Sequence, residues 1–549
     1  MKKRMLALML GSVLVVSTLA GCSSDSGEVS SSANESSKVS SEAESKTSGE
    51  AEKAEEPMVI SWLASDPTAM ADPDAPVIKA VEEKYNVKID LWNADPSNWD
   101  ESINARLAAG EVPDVLRLKN WGNLASYVEQ GLIGEVPISL LEEKAPSYMA
   151  MVNSDANPDN FFVPVTYQGV NYGFSSKNDF LSYPNMIIWR LDWLKNVGID
   201  KVPETLEEFE EAMYKFTFED PDQDGVDDTY GMSSRTMQLV LGAYGNPGVS
   251  DFSKPSYRIG ENEEGELEIL TMNEAARKGL EVLQKWYADG VIDPEFIIGE
   301  TGDYWAESTA FTNDRVGVTS GARYDHWLPA NPDIEGTSDG RVLNSFMELH
   351  RDQGEGFGDL LAMGDAPIGP DGKQGLPVPS GISEPIVFSL ECTQDEEKMD
   401  VVLQMLEDLY SDYDYFKLCL YGIEGEDYTV DEKTGILVKT ESDILKQRQR
   451  GIGFMQFLSE PPEFSRLAKG SYGSDYAKEW SSPGYGELVL PNTDAQTEHN
   501  AALNQLTAEY FVKIVTGEYS IDKFDEYVKL MKEAGADEVI QSINEALGR

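Results

Sequence analysis

Asp220, Asp222, Asp224 and Asp228 stand at the first, third, fifth and ninth positions of Asp220-Pro221-Asp222-Gln223-Asp224-Gly225-Val226-Asp227-Asp228-Thr229-Tyr230-Gly231. Carboxylates this dense repel one another within a few ångströms unless a hard, oxygen-seeking cation lies among them. Gly225, at the sixth position, permits a sharp turn, and Val226, at the seventh, would add a backbone carbonyl, as in the first part of a calcium loop. The twelfth position is Gly231 where an EF-hand has a bidentate Glu, which argues against a helix-loop-helix switch. The spacing predicts Ca2+ on Asp220, Asp222, Asp224, Asp228 and the carbonyl of Val226; the alternative is a solvated acidic turn.

Other chemistry is sparse. The histidines are His326, His350 and His499, and there is no Gly-rich phosphate loop, no Cys/His cluster at metal-ligand spacing and no Gly-x-Ser-x-Gly elbow. No enzymatic activity is expected, although 98 acids guarantee accidental carboxylate pairs, so counting does not decide against glycoside cleavage. Against those acids stand 44 Lys and Arg, a net charge of −54. A field of that sign repels phosphate, and no basic stripe overrides it, so nucleic acid is excluded as a partner. With 41% hydrophobic residues in 549 positions, the chain can bury a large core in two or more domains. Cys392 and Cys419 are too few for a disulfide scaffold; one bridge or two buried thiols fit equally.

The elements that must position these residues begin after a leader. Lys2, Lys3 and Arg4 precede an apolar run, Met5 to Val16, which is too short to span a bilayer and ends in small residues. Residues 1–21 thus read as a signal peptide, and Leu19-Ala20-Gly21-Cys22 resembles the bacterial lipobox. That resemblance implies lipidation of Cys22 and tethering at the extracellular face of the cell membrane, since two acyl chains at about 0.8 kcal/mol per buried methylene make a stable anchor. Processing removes three cations and no acid, taking the charge from −54 to −57. Residues 22–57, rich in Ser, Glu, Ala and Lys, cannot bury enough apolar surface to order and read as a disordered tether. From Met58 the periodicity gives strand, helix, strand, helix, strand: Met58–Leu63, Val77 to Tyr85, Val87–Leu91, Trp99 to Ala109 and Asp114 to Leu118. Parallel strands with helical crossovers place a ligand beyond the strand C-termini, where Asp66, Trp92 and Asn120-Trp121 lie. Thr205 with Glu208 forms a capping box on a helix running to Phe216, just before the acidic loop.

Several motifs in order carry a family resemblance. Gly110-Glu111-Val112-Pro113-Asp114-Val115, followed by Trp121 and by Tyr127-Val128-Glu129-Gln130-Gly131-Leu132-Ile133, resembles the first lobe of the family 1 extracellular solute-binding proteins. Ile187-Ile188-Trp189-Arg190-Leu191-Asp192-Trp193-Leu194 and the tail from Tyr510 to Val528 are similar to later family motifs, as is Tyr421-Gly422-Ile423-Glu424-Gly425-Glu426-Asp427-Tyr428. The resemblance implies an α/β fold of the periplasmic-binding-protein type, class II, with parallel-rich sheets flanked by helices and a ligand cleft between two lobes. The first lobe is expected over 58–170 plus about 325–395. The second is expected over 171–324 plus about 396–549, with a structural calcium at 220–231.

The implied function is capture of an oligosaccharide and its delivery to the permease subunits of an ABC transporter, by a monomer held to the membrane through Cys22. A surface-anchored carbohydrate-active enzyme and a non-transport adhesin or sensor are the alternatives. Expected ligand contacts are Asp66, Asn120, Trp121, Tyr167, Trp189, Arg190, Tyr324 and Trp327. Trp327 leads, facing Trp121 across the cleft, because an aromatic face stacks on the C–H face of a sugar ring while polar groups take its hydroxyls. Arg190 could equally pair with one of the many acids, and the overall charge favours neutral glycans. Cys22→Ser is expected to release the protein from cells or to leave an unprocessed precursor, read by fractionation and N-terminal mass, with ligand affinity unchanged.

Overall fold

Met58–Leu63 (β1), Val87–Leu91 (β2) and Val115–Arg117 (β3) form where the expected apolar runs lie, and they pair in parallel, Met58 opposite Val87 and Trp62 opposite both Leu91 and Val115. This computed structural model describes residues 57–549 apart from 64–70, 73, 93–98, 155–160, 178–182, 298–308 and 455–459. The leader, the tether, Cys22 and Asp66 therefore lie outside the described residues. The crossover helix Pro76–Tyr85 starts on a proline, buries Val77, Ile78 and Val81, and stops at Asn86, which is left-handed at φ 52°.

The chain next forms Gly173–Lys177 (β4) and then leaves that sheet. Met186–Arg190 (β5), Val318–Ala322 (β6) and Leu361–Gly364 (β7) build a second, antiparallel sheet in the order β6-β5-β7. Leu376–Val378 (β8) leads back to Ile382–Phe388 (β9), which inserts between β3 and β4, antiparallel to both, and completes a five-stranded sheet of order β2-β1-β3-β9-β4. The helices Glu396–Ser411 and Tyr413–Tyr421, the hairpin Tyr428–Val430 (β10) with Leu437–Lys439 (β11), and the helices Ile444–Gln449 and Pro462–Lys469 follow. Past Gly470, at φ 70°, the helix Tyr472–Trp480 packs with the second sheet, Gly484–Gly486 (β12) pairs in parallel with β8, and the helix Asp494–Val515 enters the second lobe's core.

Two lobes result, 57–177 with 382–470 and 183–378 with 472–549, each around its own apolar clusters. The expected boundaries are corrected accordingly. Met399, Leu403, Leu406 and Phe416 are buried with Ile60, Trp62 and Val81 in the first lobe, whereas Val342, Leu343 and Phe346 are buried with Met186 and Ile188 in the second. Each segment goes to whichever core its apolar face can join, a fact that local periodicity does not carry.

Two buried acids fasten the returning segment. Asp114 is 7% exposed and accepts hydrogen bonds from Ser61 N, Ser61 Oγ and the Lys398 ammonium at 2.8, 2.8 and 2.9 Å, so β1, β3 and the helix Glu396–Ser411 meet at one carboxylate. Glu407 accepts from Ser147 N at 2.9 Å and Tyr148 N at 3.4 Å, satisfying the open N-terminus of the helix Pro146–Val152. Cys392 and Cys419 are buried free thiols, which settles the choice against a bridge. No helix among the described residues is long and apolar enough to cross a membrane.

Candidate functional site

The acidic loop leaves a helix, Leu206–Phe218, whose capping box is formed as expected: Thr205 Oγ1 accepts from Glu208 N, and the Glu208 carboxylate accepts from Thr205 N. Asp220 and Gln223 are left-handed at φ 48° and 62°, and Gly225 at 81° needs glycine for its backbone conformation, since a Cβ there would meet nothing within 4 Å. The coil is held by Asp224 Oδ1 accepting from Val226 N at 2.7 Å and by Thr229 Oγ1 donating to Phe216 O at 2.7 Å. Asp220, Asp222 and Asp224 each present a carboxylate oxygen within 4.8 Å of the other two. Burial, with the neighbouring Asp224 and Asp220 carboxylates, pushes the Asp222 carboxyl up to about 6. Three hard oxygens in mutual repulsion form a donor set that suits a divalent cation. Asp228 and Val226 are exposed, and the Asp228 carboxylate is outside this cluster.

Strand directions locate a second candidate site. β1, β2, β3 and β4 end, and β9 begins, at one edge of the five-stranded sheet; β5 begins, and β6 and β7 end, at one edge of the other. Lys177 leads to Met186 and β8 leads to Ile382, so these are the edges through which the lobes connect. Asn120 and Trp121 stand on the first edge. Asn120 Oδ1 accepts from Gly122 N at 3.1 Å and starts a short helical turn, and Trp121 packs half-buried on the first-lobe core. Trp92 is covered there by the Arg106 guanidinium, 3.3 Å from the ring centre. Arg117 pairs with Glu384 on that edge and Arg323 with Asp325 on the other, the latter through Nε–Oδ1 at 3.1 Å and Nη2–Oδ2 at 2.8 Å.

Tyr167 follows a different arrangement from the expected ligand contact. It is 4% exposed, in a hairpin whose tip residues Gln168 and Gly169 are both left-handed, as a two-residue type I′ loop requires. Its hydroxyl lies 2.9 Å from Glu129 Oε1 and 2.8 Å from Asp494 Oδ1 and accepts from Gln168 Nε2 at 3.0 Å. Asp494 opens the long helix that enters the second lobe, so this phenol ties the lobes together. Burial, then Asp494 and Glu129, raises its pKa well above a tyrosine's ordinary value.

Three expected ligand contacts are corrected. β5 runs away from the connecting edge, which puts its end roughly 13 Å from Met186 at about 3.3 Å per residue. Trp189 there is 1% exposed and edge-on to Phe209 at 5.5 Å. Arg190 is 2% exposed and donates to Asp192 at 2.9 and 2.6 Å and to Asp314, the pairing with acids that was the alternative reading. Trp327 is fully buried between Phe311 at 5.6 Å and Phe346 at 6.3 Å. Tyr324–Trp327 is a helical turn rather than a loop, and that turn directs the indole into the core. Tyr324 remains at the edge, 8% exposed, against Tyr183, a residue of the first crossing that sequence reasoning passed over because nothing local marks it.

Two α/β lobes joined by three crossings, with strand ends gathered between them, define the periplasmic-binding-protein-like class. Residues 64–309 match the family model of the bacterial extracellular solute-binding proteins. It is 24% identical over 552 residues to the lipoprotein LipO of Bacillus subtilis, covering 99% of this chain and 98% of LipO. It is 22% identical to YtcQ, a polygalacturonan/rhamnogalacturonan-binding protein of the same organism, over 89% of this chain and 91% of YtcQ. The fold is similar to that of an EF-hand mutant of the S. pneumoniae ABC-transporter substrate-binding protein FusA in complex with fructo-nystose, with TM-score 0.62, 16% identity, and 89% and 98% of the two chains covered.

Trp327→Ala is expected to lower folding stability by about 3 to 5 kcal/mol, as removal of a fully buried Trp does. Denaturant titration reads this; a change in ligand affinity with unchanged stability would contradict the core placement.

Proposed function

We propose that this chain is a lipid-anchored extracellular protein that captures a neutral oligosaccharide between its lobes and delivers it to the permease of an ABC transporter. The observation that carries the reading is the convergence of the strand ends and connections of both lobes on facing edges, one of them presenting the half-buried Trp121. Relatives with this fold take glycans. YtcQ binds an acidic polymer, but here the arginines of the facing edges are held by acids, Arg117 by Glu384 and Arg323 by Asp325, in a chain of net charge −54. That balance favours uncharged sugar hydroxyls over uronates. Closure follows if the ligand touches both lobes, and its extent is set by the differential affinity for the closed state.

The residues that could serve are Asn120, Trp121 and Tyr324 at the edges, with Asp66, which lies outside the described residues, and Tyr167 holding the lobes together. The carboxylates of Asp220, Asp222 and Asp224, joined by Asp228 and the Val226 carbonyl, would hold Ca2+ as a structural ion of the second lobe. When bound, that ion cancels the mutual repulsion of the loop carboxylates. Tyr230 and Thr229 tie the loop to the second-lobe core, Tyr230 N donating to Arg315 O at 2.9 Å. No step here asks for bond cleavage, and the glycan is expected to leave intact.

Two measurements test these readings. Calorimetry against fructo-oligosaccharides, galacto-oligosaccharides and oligogalacturonides is expected to give binding to a neutral class, weakened in Trp121→Ala by about 2 to 4 kcal/mol, the loss typical of an aromatic anchor. Tighter binding of the oligogalacturonide, or a ligand consumed during titration, would overturn the reading. Chelation is expected to lower the melting temperature, because a ligand at a thousandfold excess over Kd adds about 4 kcal/mol. Asp222→Ala with Asp224→Ala should abolish that sensitivity, and protein purified with calcium yet holding none would sink the assignment.

A further inference from the structure

The first lobe holds a pocket of about 240 Å³ among the hairpin β10–β11, the helix Ile444–Gln449 and the segment that begins at Tyr421. That segment is the Tyr421-to-Tyr428 motif, which capture between the lobes does not use. Tyr421 and Ile452 give the pocket an apolar lining, and both are buried. Most of its charges cancel. Arg450 holds Asp427 and, at 2.8 Å, Glu426, while Lys446 holds Glu441 at 3.0 Å.

Lys439 is different. Its ammonium donates to Gln447 Oε1 at 2.8 Å and lies 5.3 Å from the Tyr421 ring centre, and no carboxylate among the described residues is within ion-pair distance of it. The amide oxygen is fixed in that role, because Gln447 is buried and its Nε2 donates to Glu441 O at 2.7 Å. Lys439 is exposed as a residue, and its side chain lines the pocket. Desolvation of the ammonium, then the nearby Lys469 and Arg448, pull its pKa down to about 8 against the opposing effect of Glu460. Glu460, a carboxylate that acts on Lys439 from nearby, is already paired with Lys469, so the Lys439 ammonium lies outside any ion pair among the described residues and is open to an added anion. Such a cation is unexpected in a chain where acids outnumber bases 98 to 44.

We propose that this pocket is a second ligand site, taking one sugar-sized organic monocarboxylate, such as a hexuronate, with its carboxylate on Lys439 and its body on the apolar lining. The volume suits a single ring, being that of roughly eight waters at about 30 Å³ each. The Glu426, Asp427 and Glu441 carboxylates repel a second negative charge, which selects against phosphate and against polyuronates. The pocket shares no lining residue with Asn120, Trp121 or Tyr324, and its assignment does not depend on the reading given to them.

The test is calorimetry on the full mature chain with D-galacturonate, D-galactose and inorganic phosphate as probes. Galacturonate is expected to bind one to one, about tenfold or more weakly in Lys439→Met, as loss of a charge-assisted hydrogen bond implies. Lys439→Arg should keep binding, Trp121→Ala should leave it unchanged, and galactose and phosphate should give no heat. If Lys439→Met does not fold, protection of Lys439 in the wild-type chain from trinitrobenzenesulfonate by galacturonate, but not by galactose, reads the same contact. Absence of binding, equal affinity in Lys439→Met, or an unprotected Lys439 would overturn the proposal.

Discussion

One buried carboxylate organises the first lobe. Asp114 joins the end of β1, the start of β3 and, through Lys398, the helix that follows β9. Lys398 lies 284 positions later in sequence, so this contact fixes where the chain returns after building most of a second lobe. Taking two charges out of water is costly, and such a pair is maintained only when the remaining hydrogen-bonding groups are met, which the Ser61 amide and hydroxyl do here. With that point fixed, β9 lies between β3 and β4, and the facing edges of the two lobes are defined.

Charge is managed locally within a strongly acidic chain. Buried Arg190 is enclosed by Asp192 and Asp314, Arg117 by Glu384 and Arg323 by Asp325. Each arginine is thereby committed to architecture rather than left as a binding group. The acidic loop and the Lys439 pocket depart from this rule in opposite directions, one gathering carboxylates and the other presenting an ammonium outside any ion pair among the described residues.

Much of this was legible in the residues. The three parallel strands, the Thr205–Glu208 cap and the acidic loop depend on neighbours within a dozen positions, and sequence reading finds them. The lobe boundaries depend on β9 pairing with β3 across 269 positions, from Arg117 to Ile386, and no local period records that. The helix Glu396–Ser411 is amphipathic enough to cover either core, and only Lys398 and Glu407 decide which. Trp327 was misread for a different reason: a tryptophan just past a strand looks exposed, but one helical turn reverses its direction. Trp62, Trp193 and Trp286, set in regular strand and helix patterns, are buried in the core.

The threading of β9 has a consequence for biogenesis. A ribosome adding about 5 to 20 residues per second needs on the order of 15 to 50 seconds to pass from Arg117 to its partner Ile386. Throughout that interval β3 has an open edge, and the first lobe cannot close until the chain has been made nearly to Gly470. Non-local pairing of this kind folds slowly. The N-terminal lobe is therefore the part of the chain that begins first and is completed only after most of the second lobe has been made.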